Sequence, residues 1–402
     1  MHPRSTLFIA TASLALSGAA LAQSPDRPWY VGLSQDFTHQ SNVFGSASGA
    51  ETSDTISTTT LRGGLNVPFG RQRAYANVSL SHQRYQDLDA RNNSGYVIGA
   101  GLDWSTVERL SGSLSLNANR RQADFNVGGI TSLTISNIER SDEIAARFRL
   151  GVVTMLGFEA GFGQRNLSFT APEFAAREYK QNDVNLGISY RPSGILTLGT
   201  GLSGQRTRFA APATGQTAAD RSQRQDLYVT ANWVPTGAST VSARVNIGKT
   251  EYDLGTAADF EGVTGSLSWA WRPTGRLNLT TTVSRDSGQE SGFLRLVEGA
   301  PVSGTNFSQI TNALSLRAGY ELTGKITLSG VLGYTRRNLV DGFTGVAGND
   351  NASTLAVGAR WAATRTMSFG CDASRESRSA TGAGSSDYDS NRFGCFGQVL
   401  LD

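Results

Sequence analysis

The chain has 402 residues, 46 of them Gly and only 10 Pro, with 17% charged and 39% hydrophobic residues and a net charge of +3. That length would fit two or three ordinary domains, yet no shift in composition divides it. The small net charge gives little support to nucleic-acid binding. No stretch past the N-terminus approaches the ~18 apolar residues of a membrane-spanning helix, and no helical periodicity persists.

Residues Met1 to Ala22 read as a cleaved export signal. Arg4 supplies the positive start, Leu7 to Leu21 is a short apolar run, and Ala20-Leu21-Ala22 is a small-x-small cleavage site before Gln23. Residues 23–402 are then expected to form a single domain. Only about six residues precede the first strand, too few for a folded plug of the kind that fills some large barrels.

From Trp29 onward the chain divides into strands of about 10–13 residues, the length a tilted membrane-crossing strand needs. WYVGLSQDFTHQ is the first, followed by a Gly/Ser-rich loop around Ser41 to Asp54. Thr55 to Val67 returns, Pro68-Phe69-Gly70 turns, and Gln72 to Gln86 goes out again. Beyond that, short and long connections alternate. The short ones lie near Thr106–Arg109, Thr154–Gly157, Pro192–Gly194, Pro235–Gly237, Pro273–Gly275, Thr323–Lys325 and Thr364–Thr366. The long ones lie near Ala123–Arg140, Thr170–Lys180, Phe209–Gln223, Asp286–Phe307, Leu339–Asn351 and Ser377–Asp387. This asymmetry is that of an outer-membrane barrel, with short periplasmic turns and longer extracellular loops. The count is about 18 antiparallel strands, with 16 as the fallback if the weak segments Leu110–Gln122 and Asp142–Val153 are merged. Bacterial barrels of this type carry an even number.

The returning strands share one pattern: apolar residues at every second position, closing on an aromatic just before the short turn. Val263, Leu267, Trp269 and Trp271 share a parity, while Thr264, Ser266, Ser268 and Ala270 share the other. A two-residue period means a strand whose faces meet different solvents. The closing rings Trp104, Tyr190, Trp233, Trp269, Trp271, Tyr320 and Trp361 would lie at one membrane height, an aromatic girdle. A soluble β-sandwich or a propeller is the competing reading, but propeller repeats need four short strands per unit where this chain holds two long ones.

Three constellations could carry chemistry. His39 and His82 remain once the signal is removed, and neither sits in a metal-ligand spacing. His82, near Ser79 and Ser81, is the local candidate for a hydrolase base, with a solvated surface His the favoured reading. Cys371 and Cys395 flank a turn centred on residue 383, so an antiparallel hairpin sets them opposite each other. They form either a cross-strand disulfide, which export to an oxidising compartment favours, or two thiols on the apolar face. Arg147, Arg149, Arg244, Arg272 and Arg317 fall on the parity opposite the apolar residues and are expected in the lumen. There they either favour anionic permeants or brace the wall against Glu143, Glu159 and Asp183.

The turn phrases YRPSG (190–194), WVPTG (233–237), WRPTG (271–275) and YELTGK (320–325), with the opening WYVGLSQDFTHQSNVF, resemble those of the β-barrel porin 2 group, which includes EpsL-type proteins of exopolysaccharide biosynthesis operons. The resemblance spans essentially all of residues 23–402. It implies an outer-membrane barrel serving as a conduit for secreted exopolysaccharide or capsular polysaccharide, beside a periplasmic polysaccharide export protein. It carries no catalytic motif and implies no enzyme activity and no cofactor. The alternatives are a diffusion porin for small solutes, which a constriction loop folded into the lumen would favour, and a barrel hydrolase using His82. The expected partners are the lipid bilayer, the polymer and the outer-membrane assembly machinery, with no nucleic acid. One departure stands out: the chain ends Val399-Leu400-Leu401-Asp402, not in the aromatic that the assembly machinery commonly reads.

Overall fold

In the computed structural model, eighteen long antiparallel strands close into a barrel. The structure describes residues 28–107, 109–123, 136–151, 154–210, 220–253, 259–291, 296–297, 300–301, 306–341, 346–382 and 385–401. The strands begin with β1 (Trp29–Gln40), β2 (Asp54–Phe69), β3 (Gln72–Tyr85), β4 (Asn93–Ser105), β5 (Leu110–Gln122) and β6 (Ile138–Leu150). They continue as β7 (Leu156–Phe169), β8 (Tyr179–Ser193), β9 (Leu196–Phe209), β10 (Arg221–Thr236), β11 (Ser239–Tyr252), β12 (Phe260–Trp271) and β13 (Leu277–Ser291). A two-residue hairpin, β14 (Leu296–Val297) with β15 (Ala300–Pro301), stands apart from the wall. The last wall strands are β16 (Asn306–Glu321), β17 (Ile326–Asp341), β18 (Ala347–Ala362), β19 (Met367–Gly382) and β20 (Tyr388–Leu401).

Each wall strand pairs with its neighbours in sequence, and β20 closes on β1 with Cys395 opposite Phe37 and Leu401 opposite Val31. Closure leaves no sheet edge, so every spanning backbone N–H and C=O can be satisfied without water. The weak segments are two separate strands: β5 spans Leu110–Gln122, and β6 runs from Ile138 to Leu150.

The alternation is borne out in which faces are exposed. Leu267, Trp269 and Trp271 point outward, as do Phe148, Leu186, Leu202, Leu332, Val357 and Phe393. A predominantly apolar exterior of this size fits lipid surroundings, not water.

The short turns explain their own phrases. Thr274 Oγ1 accepts the N–H of Arg276 and Leu277, Thr323 Oγ1 those of Lys325 and Ile326, and Thr364 Oγ1 those of Thr366 and Met367. A Thr hydroxyl here stands in for the backbone acceptor that a tight turn lacks. Pro192 and Pro235 fall where the register shifts, between Tyr190 and Ser193 and between Trp233 and Thr236. A residue without an N–H cannot serve the ladder, so the irregularity settles on it.

At the other end the strands are longer than the apolar pattern predicts. Asp286–Phe307 is not all loop, because β13 runs to Ser291 and β16 begins at Asn306. Likewise β17 reaches Asp341, β18 begins at Ala347 and β19 reaches Gly382. Above the lipid the side chains turn polar and the period-2 signal fades, but backbone pairing continues unchanged.

Candidate functional site

By strand spacing and a tilt of about 40°, eighteen strands give a wall roughly 36 Å across between Cα atoms. Side chains from opposite walls leave about 25 Å, so what projects inward decides what passes.

Much of the inward charge is paired along the wall. Arg121 meets Glu139 at 3.0 Å, Arg149 meets Glu159 at 3.3 Å, and Arg165 meets Glu143 at 2.9 Å. Arg224 joins three strands: its Nε lies 2.8 Å from Asp226, one terminal nitrogen is 3.4 Å from Asp286, and the other donates to Thr264 Oγ1 at 2.7 Å. Higher up, Arg337 donates to Asp350 through Nε at 2.9 Å and through a terminal nitrogen, while Ser385 donates at 2.6 Å. That carboxylate is 0% exposed. Adjacent strands supply most of the pairs, because cross-strand neighbours on one face are within reach of each other.

Beside Arg224 lies a recess of ≈ 350 Å³ bordered by Arg147, Glu159, Asp183, Asp226, Tyr228 and Arg244. Tyr228 is 5% exposed and lies flat on the wall, its hydroxyl donating to the Leu186 carbonyl at 3.3 Å. It fits because Gly187 and Gly201 sit beneath it; a Cβ on either would come within 2.5 Å of the Tyr228 oxygen. On its other side the Arg244 guanidinium stacks 4.0 Å from the ring centroid and donates to Asn246 at 2.7 Å. The patch offers two cations and three carboxylates to a passing solute.

Two segments at the extracellular mouth fold toward the lumen. After β1, Val43 and Phe44 pack on Tyr85 with Ile56 and Leu88, and Tyr85 and Ile56 are opposite each other on the lumen parity. Asp54 pins that corner by accepting N–H groups from Gln86 and Leu88 at 3.1 and 3.0 Å. The neighbouring Arg91 lies 5.2 Å from the Phe44 ring, and burial lowers its guanidinium from the ordinary value while Tyr85 opposes the shift. After β7, a 3-10 segment (Pro172–Arg177) packs Phe174 and Ala171 against Phe169. It also approaches β13, six strands along the wall and a third of the way round. It therefore overhangs the mouth.

The predicted residues separate into groups. Arg147 and Arg244 converge on the recess, Arg149 is braced by Glu159, and Arg317 faces the lumen opposite Thr280. Arg272 is not part of the wall. It is the first residue beyond β12, its N–H bonded to the Ala238 carbonyl in the turn, because Pro273 ends pairing there. The rings of Tyr190, Trp233, Trp269, Trp271, Tyr320 and Trp361 are exposed on the outer face above the short turns. Trp269 and Trp271 stack at 5.3 Å, and Trp104 packs edge-on to Phe148 at 6.1 Å. Cys371 and Cys395 are opposite each other and bonded.

His82 has the outward parity, with Nδ1 2.9 Å from Ser94 Oγ, whereas Ser79 and Ser81 have the inward one. Alternation alone separates that His from those serines. Among the described residues no group of three or more His, Cys, Asp or Glu is placed to hold a metal. Residues 1–22 lie outside the described residues. Sequence reasoning missed Tyr228 and Phe174. The first carried a signal, a large ring at an inward position facing strands that offer Gly at inward positions; the second carried none.

Residues 242–396 match the family described as Putative beta-barrel porin 2. No curated protein matches the chain. Among solved structures it is similar to the outer membrane protein OpdK of Pseudomonas aeruginosa, at 13% identity over 93% of this chain and 99% of that one, with a TM-score of 0.48. OccK2 of the same organism, solved with glucuronate, gives 13% identity, 93% and 98% coverage, and a TM-score of 0.48. A ferric enterobactin receptor of that organism, solved with enterobactin, gives 9%, 92% and 81%, and 0.45.

Proposed function

We propose that this outer-membrane barrel, whose residues 242–396 match the Putative beta-barrel porin 2 family, is a passive diffusion pore for small hydrophilic solutes. The observation that carries this reading is the Pro172–Arg177 segment, which overhangs the mouth toward β13. An 18-stranded lumen without such a segment is wide enough for a polymer; with it, solute size is limited where the pore narrows. The wall supplies charge of both signs, with Arg147 and Arg244 near Asp183 and Asp226. A polar solute exchanges water for these groups at little cost and is not held tightly.

Residues 1–22 direct export and the assembly machinery inserts the barrel, with bilayer lipid as the surrounding partner. The second reading, a conduit for secreted polysaccharide, rests on the resemblance of the turn phrases to those of the β-barrel porin 2 group, which includes EpsL-type proteins, and on the Ser, Thr, Asn and Gln that line the wall. Enzyme activity has no support from the placement of His82.

The test is single-channel conductance and solute uptake by liposomes carrying the purified protein, with and without residues 172–177. A pore for small solutes passes monosaccharides in both forms, and the deletion raises conductance and the size limit. Equal conductance in the two forms refutes the narrowing. In cells, loss of surface polymer with normal solute uptake on gene deletion would instead establish the conduit.

A further inference from the structure

The outer wall carries a cluster of positive charge that neither conduction nor wall bracing uses. Lys180 on β8, Arg206 and Arg208 on β9 and Arg221 on β10 are exposed and share the parity of the lipid-facing Leu186, Leu202 and Leu227. The ladder puts Lys180 opposite Arg208 and Arg208 opposite Arg221. None of the four side chains is hydrogen-bonded or ion-paired among the described residues. Of the acidic groups near them, Glu251 is 2.6 Å from Lys249, Glu178 accepts the Phe169 N–H at 2.8 Å, and the exposed Asp253, whose N–H bonds the Arg221 carbonyl, offsets one of the four charges. Like charges facing each other across strands destabilise a sheet, so three in a row call for a counter-charge from outside the chain.

Height identifies its source. Lys180 is ten residues above the girdle ring Tyr190 on β8, and Arg221 is twelve above Trp233 on β10. At about 2.5 Å of rise per residue on a strand tilted by ~40°, they stand roughly 25–30 Å above that ring. The apolar band of such a barrel is about 25 Å tall, so the four cations sit at the headgroup level of the outer leaflet.

From this geometry we infer that the outer face of β8–β10 is a binding surface for a phosphorylated lipid headgroup. Guanidinium groups fork onto phosphate oxygens, and the apolar residues below receive the acyl chains.

The test uses the full chain in detergent micelles, with bisphosphorylated lipid A and its dephosphorylated form as probes and bound lipid counted by native mass spectrometry. The wild type retains the phosphorylated lipid. With about a factor of five per cation at a membrane surface, changing Lys180, Arg206, Arg208 and Arg221 to Gln together weakens retention by at least roughly a hundredfold. A charge-conserving set, Lys180→Arg with the three Arg→Lys, stays within about tenfold of wild type. Arg285→Gln with Arg336→Gln, elsewhere on the rim, changes retention by less than about threefold. Heat-modifiable migration on gels reports folding, and the charge-conserving set carries the test if the Gln set fails to fold. Equal retention of dephosphorylated lipid overturns the inference, as does an unchanged Gln set, a failing charge-conserving set, or an equal loss in the rim control. Inorganic pyrophosphate that binds as tightly as the lipid also overturns it, because the surface would then be reading a free anion.

Discussion

Gly201 tests whether the Tyr228–Arg244 stack is built into the wall. A Cβ at Gly201 would lie 2.1 Å from the Leu186 carbonyl oxygen and 2.5 Å from the Tyr228 hydroxyl. The carbonyl belongs to the backbone of the neighbouring strand and cannot step aside without breaking ladder geometry. The Tyr hydroxyl has no free space either, since Gly187 is under it. Forcing one methyl group into packed surroundings costs about 1–3 kcal/mol. Gly204, three residues along the same strand, has nothing within 4 Å of the same position. There the same substitution removes only the backbone freedom of Gly and is neutral or gains up to about 1 kcal/mol. Urea unfolding in micelles, followed by gel migration, measures both. If Tyr228 is displaced, Arg244 loses its platform, and Gly201→Ala also moves the chloride-to-potassium permeability ratio while Gly204→Ala does not. Equal stability of the two variants, within about 0.5 kcal/mol, refutes the packing argument.

Replacing Arg224 by Leu leaves Asp226 and Asp286 facing the lumen without their cation. Because the site is partly wetted, the cost is about 1–3 kcal/mol, below that of a fully buried pair, and reversal potentials under a salt gradient shift toward cation selectivity. Removing the Cys371–Cys395 bond, which closes a loop with a separation of 24 residues, costs up to about 3 kcal/mol. Reductant then lowers the unfolding midpoint of the wild type but not of the double Ala variant. Leu332→Arg puts a charge on the lipid face six residues above Ile326. It costs about 2–4 kcal/mol, whereas Trp361→Arg in the girdle costs at most about 1 kcal/mol, a difference readable from folding yields in lipid vesicles.

The architecture was legible because a membrane barrel imposes one rule on every spanning strand. Lipid outside and water inside force apolar and polar residues to alternate, so Leu267, Trp269 and Trp271 declare a face without any knowledge of neighbours. The short turns declared themselves through Pro, Gly and Thr, whose local hydrogen bonds need no tertiary context. Cys371 and Cys395 were set opposite each other by simple symmetry about their turn, and the structure shows them bonded. Local sequence therefore determined the barrel architecture, the alternation of side chains and the girdle, and narrowed the strand count to 18 or 16, which the separate β5 and β6 settled as 18.

Contacts that depend on register around the barrel were another matter. Arg224 reaches Asp286 across two intervening strands, and no spacing in sequence records that distance. Arg272 shared the inward parity yet fell outside the wall, since parity says which way a residue points and not whether its strand has already ended. The fit of Tyr228 over two glycines depends on the stagger among three strands. The overhang of Pro172–Arg177 toward β13 depends on the curvature of the closed wall, which brings distant strands within reach of one loop. Alternation is a property of each strand alone, whereas stagger and closure belong to the whole ring, and it is the ring that sets the width and charge of the passage.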